Sequence, residues 1–195
     1  MPTDIEIYCG YMAEIRDRVN VIENVLNGVL AGIPPFVATE VVNLQFRKVL
    51  ELIAFSTLAA NKEAYASAHE NFSKHWRAKK ILEEISKLNP DFYPMALDPP
   101  EEVGPGRKHF PRPDGGFLTH DEFVALYDSA SGVLHTSNPY ATNSASTSFQ
   151  YSTSQWAGRI QRLLGWHRVQ LISGSLWIVN IPNQGDVQTW PAAPV

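Results

Sequence analysis

Over residues 41–61 the chain runs for about twenty positions without a glycine or proline, and across 52–60 its side chains are apolar almost all the way round. A helix of that kind is enclosed by neighbours rather than laid on a surface, where one face would stay polar. A buried central helix is therefore expected. Its polar residues are ordered: Glu40, Asn43, Arg47 and Glu51 recur at steps of three and four and so share one face. A charged stripe on an enclosed helix needs partners. Either Arg47 and Glu51 satisfy each other inside the bundle, or the stripe lines a polar cleft that receives a ligand or a substrate phosphate.

The elements around this helix follow from periodicity. Residues 4–30 read as a long amphipathic helix in which Ile5, Tyr8, Met12, Ile15, Val19, Ile22, Leu26 and Val29 alternate steps of three and four. That heptad seam packs along another helix, within the bundle or across a dimer. Gly28 and Gly32 weaken its end, and Pro34-Pro35 is expected to break the chain before the central helix begins near Val37. Asn61 can cap a third helix over 62–88, whose inward side would carry Tyr65, Phe72, Trp76, Leu82, Ile85 and Leu88. The middle of that helix is basic, with Lys74, His75, Arg77, Lys79 and Lys80 forming either a solvated face or one that contacts phosphate.

Residues 90–118 hold seven prolines and four glycines, a density of breakers that no helix survives. An extended surface arm is expected, turning at Asp114-Gly115, with a positive patch of Arg107, Lys108, His109 and Arg112. Thr119-His120-Asp121-Glu122 is a capping box that starts a fourth helix, whose apolar face is Phe123, Leu126, Tyr127, Ala130, Val133 and Leu134 and which Asn138-Pro139 ends. A polar loop follows over 136–154, and Trp156, Ile160, Leu163 and Leu164 mark a short fifth helix. The period then changes to two: 167–172 and 175–181 flank a tight turn at Ser173-Gly174, and 187–190 follows a second turn, giving a three-stranded antiparallel meander. So small a sheet must lay one face on the helices.

These readings assemble into a mainly α fold. A five-helix bundle-like domain spans 1–166, and a small C-terminal antiparallel β-meander, 167–195, packs on it as part of the same domain. The formal charge of -4 offers no global pull toward nucleic acid, so such binding would need a local patch. A single cysteine, Cys9, excludes an intrachain disulfide framework and a cysteine-based zinc site and suits a reducing compartment. With no long apolar run and no signal-peptide pattern, the expected location is the cytoplasm, with no membrane partner.

Asp128, Ser131 and His135 share a face of the fourth helix, but seven residues of rise separate the first from the last by about 10 Å, too far for a triad hydrogen bond. His135 can cap the end of that helix or face Arg47. No metal pattern and no phosphate loop of the common types occurs, and no cofactor is expected.

The central-helix run from Leu44 to Ile53, Leu-Gln-Phe-Arg-Lys-Val-Leu-Glu-Leu-Ile, together with Val-Leu-His-Thr-Ser-Asn-Pro at 133–139, resembles the HEPN superfamily of small helical bundles, over residues 4–140. That resemblance implies a bacterial toxin or antiphage setting and metal-independent RNA cleavage at a dimer interface. In such a site an Arg steadies the scissile phosphate and a His four to six residues away transfers the proton. The spacing occurs once here, Arg162-Leu163-Leu164-Gly165-Trp166-His167, outside the stretch that carries the likeness. The expected catalytic pair is accordingly Arg47 with His135, the alternative is Arg162 with His167, and Asn43, Glu51, Asn138, Lys79 and Arg107 are the expected binding residues. RNA is the expected ligand, and the first helix the expected contact with a second copy or partner protein. The rival reading is a non-catalytic interaction or dimerisation module, which suits the acidic balance. A small-molecule pocket built on Tyr65, Phe72, Trp76 and Tyr127 is a third.

Overall fold

A computed structural model of the chain describes residues 2–68, 77–136 and 149–192. The fold is mainly α, with a small antiparallel sheet at its C-terminal end. Helix α1 (Asp4–Leu26) starts at a capping box, in which Thr3 Oγ1 accepts from the Glu6 backbone and Glu6 Oε2 accepts from the Thr3 backbone at 2.7 Å. Its seam residues Tyr8, Met12, Ile15, Val19 and Ile22 are buried within the chain's own core. The middle of the seam is thus consumed by the bundle, while Leu26 and Val29 at its end are exposed. The helix ends earlier than the periodicity suggests, because Gly28 and Gly32 take the left-handed conformation at φ 86° and 93°.

Helix α2 (Pro35–Ala60) is the central element. The two prolines stand at the expected break before it. Pro34 is its N-cap and Pro35 its first residue, where a missing N–H removes no helical bond. Phe46, Val49, Leu50, Ile53 and Ala54 are buried, and a fully buried Leu or Ile contributes on the order of 2 kcal/mol. Its enclosed hydroxyls are satisfied internally: Ser56 and Thr57 both donate to the Ile53 carbonyl, at 2.8 and 2.9 Å.

The single helix expected over 62–88 is instead two, α3 (Lys62–Ala68) and α4 (Ala78–Leu88). Arg77 is extended at φ -84° and ψ 108°, so α4 begins afresh after it. Asn61 does not cap α3 through its side chain; it closes α2, donating to the Thr57 carbonyl at 2.9 Å. Phe72 and Trp76 lie outside the described residues. The Pro/Gly-rich arm also holds structure that its composition hides. Strand β1 (Met95–Ala96) pairs with the main sheet, and β2 (Glu101–Gly104) and β3 (Arg107–His109) form a separate hairpin around Pro105-Gly106, with Gly106 at φ 69°.

Helix α5 (His120–Val133) begins at the expected capping box, and α6 (Thr153–Leu164) at a second one, Ser152 with Gln155. Helix α5 stops at Val133, short of Asn138-Pro139. Strands β4 (Trp166–Gln170), β5 (Leu176–Asn180) and β6 (Gln188–Ala192) make the meander, and β1 adds a fourth strand beside β4 in the order β1-β4-β5-β6. The buried residues of β4 are His167 and Val169, and that of β5 is Val179, so this inner face closes onto the helical core while Trp166, Arg168 and Ile178 face outward.

Candidate functional site

Arg47 sits where the polar stripe of α2 leaves the core. Its Nε donates to Glu51 Oε1 at 3.1 Å, one turn on, and Glu51 Oε2 also accepts from Lys48 Nζ at 3.0 Å. The guanidinium carbon lies 5.7 Å from the ring centroid of Tyr127 on α5, within cation–π range. With 27% of its side chain exposed, Arg47 is not enclosed by the bundle. It opens into a groove of about 570 Å³ between α2, α4 and α5, lined also by Arg77, Lys79, Lys80, Glu83, Glu84 and Tyr127. Four of these lining side chains are cationic and two are carboxylates. Lys79 is tied to both carboxylate oxygens of Asp128, at 2.9 and 3.0 Å.

The other expected residues fall elsewhere. Asn43 is buried one turn before Arg47, donating to the Thr39 carbonyl at 2.9 Å, and its Oδ1 has no partner among the described residues. It does not line the groove. His135 is exposed beyond the end of α5, held by a backbone bond to the Gly132 carbonyl at 3.3 Å, and it is not among the side chains around Arg47. Arg47 and His135 thus do not share this groove. Asn138 lies outside the described residues. Tyr65 is buried in the core, while Tyr127 does line the groove.

The alternative pair diverges. Arg162 points outward from α6 to Asp98, Nη2 to Oδ1 at 2.6 Å. His167 points inward from β4 and is fully buried between Tyr8 and the Leu164 carbonyl. Burial pushes its imidazole down to about 4, against the opposing pull of the Leu164 carbonyl. A neutral, enclosed imidazole cannot reach a substrate at the surface, so the spacing of Arg162 and His167 is structural.

Arg107 belongs to a second concavity. The β2–β3 hairpin stands over the outer face of the main sheet, and a cleft of about 370 Å³ between them is lined by Glu102, Arg107, Lys108, Phe110, Trp166, Ile178 and Trp190 among others. The Trp166 and Trp190 rings are parallel within 8° at 5.6 Å. Neither motif nor spacing marks this aromatic pair in the sequence. The available signal was the two-residue period of β4, which puts Trp166 on the face opposite His167.

No family model matches this chain, and neither a curated protein nor a solved structure does. Among the described residues no helix is long and apolar enough to cross a membrane.

Proposed function

We propose that this protein binds RNA, holding the phosphate backbone in the groove between α2, α4 and α5, and that it does so without cleaving the strand. The observation that carries this reading is the half-buried Arg47 guanidinium, presented to solvent over the Tyr127 ring beside Arg77, Lys79 and Lys80. A fork of donors held in a partly desolvated site suits a phosphate oxygen pair. Cleavage of the kind the resemblance implies needs in addition a histidine within hydrogen-bond reach of the same phosphate. Among the described residues, neither histidine expected in that role lines the groove: His135 lies beyond the end of α5, and His167 is buried. On this reading the likeness to HEPN bundles extends to RNA as ligand but not to its hydrolysis.

The test is fluorescence anisotropy with a short labelled single-stranded RNA in chelator, followed by a gel of the same mixture. Binding, intact RNA, and about tenfold weaker binding by Arg47→Ala are the expected results. Degraded RNA, or equal affinity of the variant, would overturn the proposal.

The rival reading, a protein-interaction module, has its own observation. Val21, Leu26, Val29, Ile33, Phe36 and Leu44, along the end of α1, the turn after it and the start of α2, are exposed apolar side chains. Clustered exposed apolar surface is where a partner docks. Light scattering of the wild type and of Phe36→Glu tests it; a particle larger than one chain that the substitution dissociates would favour it.

A further inference from the structure

The outer face of the sheet carries a second set of side chains that the Arg47 groove does not use. Trp166 on β4 and Trp190 on β6 project to the same side, because Ile178 of β5 pairs with both Arg168 and Trp190 in register. Their rings stack at 8° and 5.6 Å, and Phe110 closes on Trp166 at 5.7 Å and 47°. The stack is unfinished, since Trp190 is 44% exposed. A flat apolar ring left in water beside an existing stack offers a surface for one more planar group.

The rim decides what kind of planar group. Arg107 and Lys108, both exposed, line the cleft from the hairpin, and among the described residues Glu102 is the one carboxylate that lines it with them. A ligand that fits must combine an uncharged π-face with a negative charge close by. An unpaired nucleotide has that construction: the base supplies the face and its own phosphate the charge. Open grooves that bind single strands pair the same two elements, aromatic platforms for bases and cations for the backbone.

We propose that the cleft between the β2–β3 hairpin and the main sheet is a base-stacking subsite for single-stranded RNA, in which Trp190 receives an unpaired base and Arg107 with Lys108 hold the adjoining phosphate. The proposal rests on RNA being the ligand, as in the preceding reading, but not on the Arg47 groove. It requires no bases of particular sequence, because every base has a π-face.

The experiment compares two labelled probes of equal length by anisotropy, an oligoadenylate and its abasic counterpart, which keeps every phosphate and lacks every base. Trp190→Ala should weaken the oligoadenylate by about tenfold and leave the abasic strand unchanged, and Trp190→Phe should retain most of the affinity. The double variant Arg107→Ala/Lys108→Ala, which leaves the sheet intact, should weaken both probes. If Trp190→Ala and the hairpin variant bind the oligoadenylate as the wild type does, while Arg47→Ala does not, the subsite is overturned and the groove stands. If Trp190→Ala weakens it and Arg47→Ala has no effect, the subsite stands and the groove fails. A wild type that binds neither probe overturns both.

Discussion

Tyr8 and His167, 159 residues apart in sequence, meet in the core with the tyrosine oxygen 2.7 Å from Nε2 of the imidazole. The other ring nitrogen, Nδ1, lies 2.8 Å from the Leu164 carbonyl oxygen, which can only accept. Nδ1 therefore carries the ring proton, and Nε2 accepts from the Tyr8 hydroxyl. This bond ties α1 to β4 and joins the sheet to the bundle. Burial raises the Tyr8 phenol and lowers the imidazole, so both groups stay neutral at physiological pH.

That pairing sets a pH dependence. The folded-state value of His167 is depressed from 6.5 to about 4, so the unfolded chain binds the proton more readily. Stability from the neutral imidazole is complete above the ordinary value and is lost as pH falls toward the folded one. Each unit of that shift corresponds to about 1.4 kcal/mol, and the loss amounts to roughly 3 kcal/mol. Urea unfolding of wild type and His167→Gln at pH 7 and pH 5 should show the gap between them narrowing at the lower pH. A gap of constant size would contradict the assignment.

Tyr8→Phe deletes the donor and leaves Nε2 of His167 enclosed without a partner. A loss of about 1–3 kcal/mol is expected, read as a lower urea midpoint with an unchanged slope.

Asn89 holds three elements at once. Its Nδ2 donates to Asn61 Oδ1 at 3.0 Å and to the Gln170 carbonyl at 2.9 Å, and its Oδ1 accepts from the Asp91 backbone at 3.1 Å. The ends of α2, α4 and β4 are pinned together there. Asn89→Leu keeps the branching but strands those groups, and should destabilise by on the order of 2–3 kcal/mol in thermal or urea unfolding.

Glu122 caps α5 and reaches α6. It accepts from the Thr119 backbone at 2.9 Å, from the Arg159 guanidinium through both carboxylate oxygens, and from the Tyr151 hydroxyl at 3.2 Å. Burial alone would raise its carboxyl, but the bonds from Arg159 and Thr119 outweigh it and hold the value below 4.5. Its contribution is present above that ordinary value and fades as pH falls below it. Glu122→Gln should cost about 1–3 kcal/mol at pH 7, with the difference from wild type shrinking in acid.

How much of this was legible beforehand depends on the range of the cause. The capping box at Thr119, the seam through Tyr8 and Ile22, and the period-two strands are local patterns, and each appears where its pattern stands. The break at Pro34-Pro35 also stands where expected, with the prolines opening the central helix as its N-cap and first residue. The β2–β3 hairpin was hidden by breakers that in fact form its turn. For the site, spacing alone put Arg47 and Glu51 on one face. It could not bring Tyr127 over the guanidinium, leave His135 out of the groove, or raise the α4 lysines beside it, since each of those depends on how distant segments meet. The inward turn of His167 is readable from its alternation with Val169 on β4.

The central claim is that Arg47 meets a phosphate arriving from solvent. The salt dependence of RNA binding tests it most directly, because each phosphate contact to a single strand contributes about 0.7 to the slope of log affinity against log salt. Arg47→Ala is predicted to lower both the affinity and that slope, by about one contact's worth. Identical slopes for wild type and variant would contradict the account.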